Sequence, residues 1–373
     1  MYRKPTPSTI IEGATSLSVY IKQDTTERGP GKKVGLPFYN PAMAMNRDIS
    51  ILVLQYLLSQ SKKTCQVLDG MAASGIRGFR FASEVNGNVH ITINDWEDTA
   101  FHLIKQNAEQ FGDAAITPSQ ENIHVLLSQN TYDYIDIDPF GSPATYIDSA
   151  LRSIRHNGII AASATDTATL CGVYPKVCKR RYNALPLHGA CMHETALRIL
   201  IGFIGRQAGK YDKGIIPLLC YQTDHYLRCY LIIKKGVTSA NQTINQITQI
   251  SSTMVPGQID EESLIGPLWM GDLHDKHACV PMQMLLLEKH LEQPKQVSTL
   301  LALCEQEATM PAFYYSTNTL SQQHKKSPPP LERIIKEIQD KGYYITKTQF
   351  DPTGFKTNAE RILVEQVFQQ LTI

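Results

Sequence analysis

No Cys-x2-Cys pair occurs in this chain of 373 residues, whose eight cysteines (65, 171, 178, 191, 220, 229, 279 and 304) are scattered, most of them in apolar segments. A structural zinc site needs closely spaced ligands, so we expect reduced, buried thiols packing as small hydrophobes and no bound metal. Long apolar runs are missing too. No stretch approaches the roughly 20 apolar residues that span a bilayer, and Met1-Tyr2-Arg3-Lys4-Pro5-Thr6-Pro7 leads into no apolar core. A cytoplasmic protein with no membrane partner is the expectation, and nothing in the sequence calls for an obligatory protein partner. The third absence is an excess of charge: 36 Lys and Arg against 35 Asp and Glu leave +1 at pH 7. That excludes a globally basic surface, and any affinity for nucleic acid must come from local patches.

What is present is a composition of 42% hydrophobic and 19% charged residues, normal for a folded protein long enough for two domains. From about 65 to 235, short apolar runs alternate with longer helix-like segments, the signature of a mostly parallel sheet covered by helices. Strands are expected at Gln66-Val67-Leu68, Val89 to Ile93, His124 to Leu127, Tyr134 to Ile137 and Gly158 to Ala162. Residues 193–208 carry apolar positions at helical spacing, and 215–220 with 228–233 suit a terminal antiparallel hairpin. The fold class is therefore α/β: a Rossmann-like domain with a seven-stranded sheet. Lys234-Lys235-Gly236 ends this patterning, and 237–263 is rich in Ser, Thr, Gln and Asn. We expect a first domain over 1–236 and a smaller α+β domain over 237–373, with helices at 282–291 and 331–341 and a strand at 343–346.

Three strand ends carry residues suited to one chemistry. Asp69-Gly70-Met71-Ala72-Ala73-Ser74-Gly75-Ile76-Arg77-Gly78 follows the first strand with small residues that let backbone approach a ligand beside a helix N-terminus. It is not Gly-x-Gly-x-x-Gly, so a dinucleotide is not indicated. Asp95 ends the second strand, where a carboxylate can accept from both ribose hydroxyls of an adenosyl group. Asp138-Pro139-Phe140-Gly141 ends the fourth. An exocyclic amine on a base is a poor nucleophile, and its methylation needs acceptors for the amine protons and an aromatic face for the base. Asp138 and the Pro139 carbonyl can accept; Phe140 can stack.

These segments occur in order with others: Phe38-Tyr39-Asn40-Pro41 leading to Asn46-Arg47-Asp48, Ser74 to Gly78, Asn94-Asp95, Asp138 to Pro143, Ala164-Thr165-Asp166, His193-Glu194, Gly266-Pro267-Leu268-Trp269 and Phe350-x-Pro352-Thr353-Gly354-x-Lys356-Thr357. Nearly end to end, the chain resembles the archaeal type of tRNA (guanine(26)-N(2))-dimethyltransferases. The resemblance implies S-adenosyl-L-methionine as methyl donor and tRNA as partner. It carries over Arg47, Arg77 and Asp95 as donor contacts, and Asp138 as catalytic acceptor, with Phe38 and Phe140 holding a flipped guanine. Asn122-Ile123 stands where relatives commonly have Asp-Ala; the Asn carbonyl can still bond the adenine amine. Tyr315-Ser316-Thr317-Asn318 departs from a Tyr-Asp-x-His pattern, and the cysteine-rich insert of some relatives has no counterpart in 236–267, which lack Cys and His.

Lys176, Lys179, Arg180 and Arg181 form a basic cluster able to hold phosphates, or a solvated charged loop. Lys325, Lys326 and Lys356 are expected to position tRNA. His193-Glu194 lacks a second ligand at workable spacing, so a structural role is expected. Asp136 and Asp138 share a strand face, but no sugar-binding pattern supports paired-acid hydrolysis. Two rival functions remain open: methylation of another exocyclic amine, at N6 of adenine or N4 of cytosine, and a non-catalytic RNA-binding role.

Overall fold

The computed structural model describes residues 7–20, 39–223, 226–258 and 262–372. Its centre is a seven-stranded sheet, here numbered in chain order: β1 (Cys65–Asp69), β2 (Val89–Asn94), β3 (Ile116–Ser119), β4 (Tyr132–Ile137), β5 (Ile154–Ala164), β6 (Lys213–Thr223) and β7 (Tyr226–Lys235). The spatial order is β3-β2-β1-β4-β5-β7-β6. The pairs β1/β2, β1/β4, β2/β3 and β4/β5 are all parallel. Only two residues join β6 to β7, a link too short for a parallel crossover, so these strands run antiparallel. Val67, Leu68, Ile91, Ile93, Ile135, Ile137, Ile159 and Ile160 are all inaccessible to solvent. Such near-continuous apolar strands are what a sheet covered on both faces requires. Helices α1 (Ala44–Ser59), α2 (Ile76–Glu84), α3 (Asp98–Phe111), α4 (Ile123–Gln129) and α5 (Ala144–Ser153) supply its coverings and crossovers.

Two expectations need correction. His124 to Leu127 lies in helix α4, and the third strand is Ile116–Ser119. Asn122 accepts the His124 N–H at 2.9 Å and so caps a helix. Ile123, Leu126 and Leu127 are buried while His124 and Val125 are exposed, a helical spacing that a short apolar run conceals. In the later part of the chain, the helix expected over 282–291 runs Lys276–Leu285 and gives way to turns. Past the helix end Leu287 is 93% exposed.

The chain forms two compact units that interleave in sequence. One comprises Met1–Thr165, Tyr230–Lys235 and Val280–Thr299; the other comprises Asp166–Cys229, Gly236–Cys279 and Leu300–Ile373. The first holds β1 to β5 and an N-terminal hairpin, Ser8–Glu12 with Thr15–Val19. In the second, Ile247–Ser251 pairs antiparallel with Leu264–Trp269, and Gly354–Thr357 lies between Tyr315–Ser316 and Ile345–Lys347. Ile334, Ile338, Phe355, Val364, Val367 and Phe368 form the core under that last sheet. Among the described residues no helix is long and apolar enough to cross a membrane.

Candidate active site

The strand order reverses between β1 and β4, and in open α/β sheets ligands bind beyond the strands' carboxyl ends at that switch point. Asp69 ends β1, and Asp136 and Asp138 lie at the end of β4. Gly70 allows the two ends to approach: its N–H donates to the Asp136 carbonyl at 3.2 Å, and a Cβ there would lie 2.9 Å from that oxygen. The following loop turns into α2 through Gly75, whose φ of +79° favours glycine.

Arg77, in the first turn of α2, is the hub. Its Nη2 donates to Asp138 Oδ2 at 2.6 Å, and its Nε lies 3.5 Å from Asp136 Oδ1. Nη1 donates to Asn46 Oδ1 at 2.8 Å and Ser50 Oγ at 2.6 Å, two residues one turn apart on α1. Ser50 Oγ in turn lies 2.8 Å from the Tyr230 hydroxyl. Asp136 is buried and accepts from the Tyr134 hydroxyl at 3.0 Å. Asp69 accepts the Gly78 N–H at 3.0 Å. Burial pushes the Asp69 carboxyl up to about 7; Arg77 opposes this, and the carboxylates of Asp136 and Asp138 add to it. Asp138 keeps a fifth of its side-chain surface in solvent, enough to meet a substrate.

Asp95 follows β2 and is half-buried, with one oxygen accepting from Ala73 N at 2.8 Å and the other from Glu97 N at 3.0 Å. Asn122, exposed, spends its carbonyl on the α4 cap. Ile123 is buried and packs over Gly70, with its Cδ1 2.6 Å from where a Gly70 Cβ would stand. Pro139 is buried; Phe140 is 56% exposed. Arg47 lies on α1 beside Asn46, with Nε and Nη2 each 2.6 Å from a Glu12 carboxylate oxygen and Nη2 3.0 Å from the Asn40 carbonyl. Burial works against the Glu12 charge, but Arg47 and Arg80 hold its carboxyl below the usual range. Phe38 lies outside the described residues.

Two positioning residues lie in segments of the resemblance but were assigned no role by the sequence. Asn94 is buried and donates to the Gly70 and Glu121 carbonyls, both at 3.1 Å, tying the loop after β1 to the loop after β3. Its signals were a polar residue closing an apolar strand and its place in the Asn94-Asp95 segment of the resemblance. Thr165, just after β5, accepts the Gly141 N–H at 2.6 Å and donates its own N–H to the Gly141 carbonyl at 2.9 Å, which pins the turn after Phe140.

Lys356 corrects the expectation of a tRNA contact. It is 2% exposed and lies 2.9 Å from Glu194 Oε1 and 3.3 Å from Glu307 Oε2. Arg198 and the Phe313 N–H converge on that same Glu194 oxygen, so Glu194 contributes to the core of the second unit while His193 beside it is half-buried. Among the described residues no group of three His, Cys, Asp or Glu side chains is placed to hold a metal ion.

The strand order, the acid after β2 and the Arg77–Asp138 pair at the switch point together define a Rossmann-like methyltransferase fold. In agreement, Trm1 from Pyrococcus horikoshii, solved in complex with S-adenosyl-L-methionine, superposes with a TM-score of 0.85 at 32% identity, over 98% of this chain and 99% of that one. The family model for N2,N2-dimethylguanosine tRNA methyltransferases matches residues 32–369, and the chain belongs to this family. The tRNA (guanine(26)-N(2))-dimethyltransferase of Thermococcus kodakarensis is 36% identical over 364 residues, covering 90% of this chain and 93% of that protein. The enzyme of that name from Methanocorpusculum labreanum is 34% identical, with 96% of each chain covered.

Proposed function

We propose that this protein transfers two methyl groups in succession from S-adenosyl-L-methionine to the N2 amine of guanosine 26 in tRNA. The observation that carries the reading is the 2.6 Å Arg77–Asp138 ion pair at the sheet's switch point, in a chain of this family. The site fits such a donor: the Ser74 hydroxyl, in the loop before α2, and the Asn46 amide nitrogen, on the residue that holds Arg77, are buried and have no hydrogen-bond partner among the described residues. Buried donors of this kind call for an acceptor such as the donor's carboxylate. We assign Arg47, Arg77, Asp69 and Gly75 to the amino-acid end of the donor, Asp95 to its ribose, and Asn122 and Ile123 to its adenine.

The donor supplies a methyl group already activated by the sulfonium charge, so the transfer calls for no metal. The protein's task is placement. Unstacking the target base costs a few kcal/mol, and Phe140 offers it an exposed face, with Phe38 assigned to the other side. Asp138 and the Pro139 carbonyl accept the amine protons and turn the nitrogen lone pair toward the methyl carbon. As the N–C bond forms and the C–S bond breaks, the excess proton leaves to Asp138 or water. The second transfer repeats this with the remaining proton toward Asp138. We further propose that residues 1–236 house donor and acceptor, that 237–373 serve mainly tRNA binding, and that the enzyme is cytoplasmic.

Incubation with S-adenosyl-L-methionine and an unmodified tRNA transcript bearing guanosine 26, followed by mass analysis of digested nucleosides, tests the proposal. N2,N2-dimethylguanosine is expected, and a transcript carrying adenosine at 26 should stay unmodified. Methylated adenine or cytosine would transfer the chemistry to another exocyclic amine, and donor binding without turnover would favour a non-catalytic role.

A further inference from the structure

A protein of net charge +1 that binds RNA must concentrate positive charge somewhere. Between Asp166 and Glu194 the sequence has 27 residues without an acid. Within them lies the helix Pro175–Tyr182, which begins on a proline at its first position, carries Lys176 in its first turn and gathers Lys179, Arg180 and Arg181 in its last, where the helix dipole favours them. Its inner face is fixed by Cys178 and Tyr182, four residues apart and both inaccessible to solvent. Asp166 accepts from the Tyr182 hydroxyl at 2.7 Å and from Arg181 Nη1 at 3.0 Å, which commits Arg181. Arg206 donates to the Tyr182 and Asn183 carbonyls and holds the helix end.

The outer face carries Lys176, Lys179 and Arg180, exposed and spaced three and four residues apart so that they neighbour one another. Among the described residues no ion pair reaches any of the three. An ordinary solvated face looks different, as the helix Leu331–Asp340 of the same unit shows: there Glu332 pairs with Lys347 and Glu337 with Lys341. Beside the uncompensated cations, Tyr174 stands 56% exposed and Val173 51%. Cations that neutralise phosphates next to an aromatic ring that stacks a base are the recurring parts of an RNA-binding surface.

We infer that this helix face is a tRNA-contacting surface, with Lys176, Lys179 and Arg180 on backbone phosphates and Tyr174 stacked on an unpaired base. The inference rests on the tRNA methyltransferase reading and extends it to a surface that carries no chemistry itself. A rigid anchor suits the task, because cations already gathered on a pinned helix lose little freedom on binding.

The test measures binding of unmodified tRNA by filter titration from low to moderate salt, beside calorimetry with S-adenosylhomocysteine. Combining Lys176→Ser, Lys179→Ser and Arg180→Ser should weaken tRNA binding at least about tenfold at low salt. The slope of log affinity against log salt should become shallower by about two to three, since each phosphate contact contributes nearly one. Binding of S-adenosylhomocysteine should not change, and a set keeping the charge (Lys176→Arg, Lys179→Arg) should bind tRNA like the parent. Tyr174→Ala should lower affinity by about fivefold or more with the slope unaltered, because stacking is uncharged. An unchanged slope in the triple variant, with a parent protein that dimethylates tRNA, overturns the surface and leaves the function standing. A parent that binds S-adenosylhomocysteine but neither binds nor modifies tRNA overturns the function itself.

Discussion

Arg77 joins Asp138 at 2.6 Å while lying 3.5 Å from Asp136, so one guanidinium serves two carboxylates two residues apart on the same strand end. Asp136 is sealed in the sheet, and Asp138 alone reaches solvent. The pair therefore sets a buried acid beside a solvent-accessible one, which the proposed function makes the catalytic acceptor. Asp138→Ala should lower kcat by about a hundredfold or more, the scale of losing one oriented transition-state contact, with donor affinity near the parent's. Single-turnover assays with saturating donor and tRNA measure it, and a yield of dimethylguanosine close to the parent's would remove Asp138 from the chemistry.

Asp95, proposed to bind the donor ribose, holds the Ala73 and Glu97 amides through its carboxylate, and each oxygen retains a lone pair with which it can accept a further hydrogen bond. Hydrogen bonds to charged groups are worth about 1.5 to 3 kcal/mol, so Asp95→Ala should weaken S-adenosylhomocysteine binding at least about tenfold. Calorimetry decides this, and an affinity equal to the parent's would place the ribose elsewhere.

Asp69 makes stability depend on pH. Its folded pKa of about 7 lies above the usual carboxylate value, so the folded protein retains a proton that the unfolded chain loses. The associated stability is fully present below about pH 4 and is lost as pH rises through about 7. Asp69→Asn keeps an oxygen for the Gly78 N–H and removes the titration. Parent and variant should match near pH 4, and by pH 8 the variant should be more stable by up to about 4 kcal/mol. Urea unfolding at several pH values measures the difference; parallel curves would show that Asp69 stays ionised.

The sequence made the sheet legible where strand centres are runs of buried apolar residues, as at Val67-Leu68 in β1 and Ile159 to Ala162 in β5, because a covered parallel strand tolerates little else there. It misled at α4, where the buried trio Ile123, Leu126 and Leu127 could be read as a strand until the Asn122 cap was seen. The three acids at strand ends were legible for a related reason: carboxylates next to apolar runs need a purpose. Pairing across the chain was not. Nothing local in Arg77 announces Asn46 and Ser50 as its partners, and nothing in Thr165 announces Gly141, since those contacts exist only once the sheet forms.

Lysines resisted the sequence most, because the letter does not say which way the side chain lies. Lys325 and Lys326 are exposed, whereas Lys356 is sealed between Glu194 and Glu307. Their substitutions should therefore part ways. Lys325→Ser with Lys326→Ser should make the salt dependence of tRNA binding shallower and leave stability alone. Lys356→Met should destabilise the fold by about 3 to 5 kcal/mol, the cost of stranding a buried partner charge. Glu194 would keep Arg198, but Glu307 would lose its cation. Burial already raises the Glu307 carboxyl, against the pull of Lys356, so without that lysine it should take up a proton at higher pH. A group with a raised folded pKa loses its stabilising contribution as pH rises, and the deficit of the variant should accordingly grow from pH 5 to pH 8. Urea midpoints across that range test the argument, and a variant as stable as the parent at every pH would mean that the buried cluster does without its lysine.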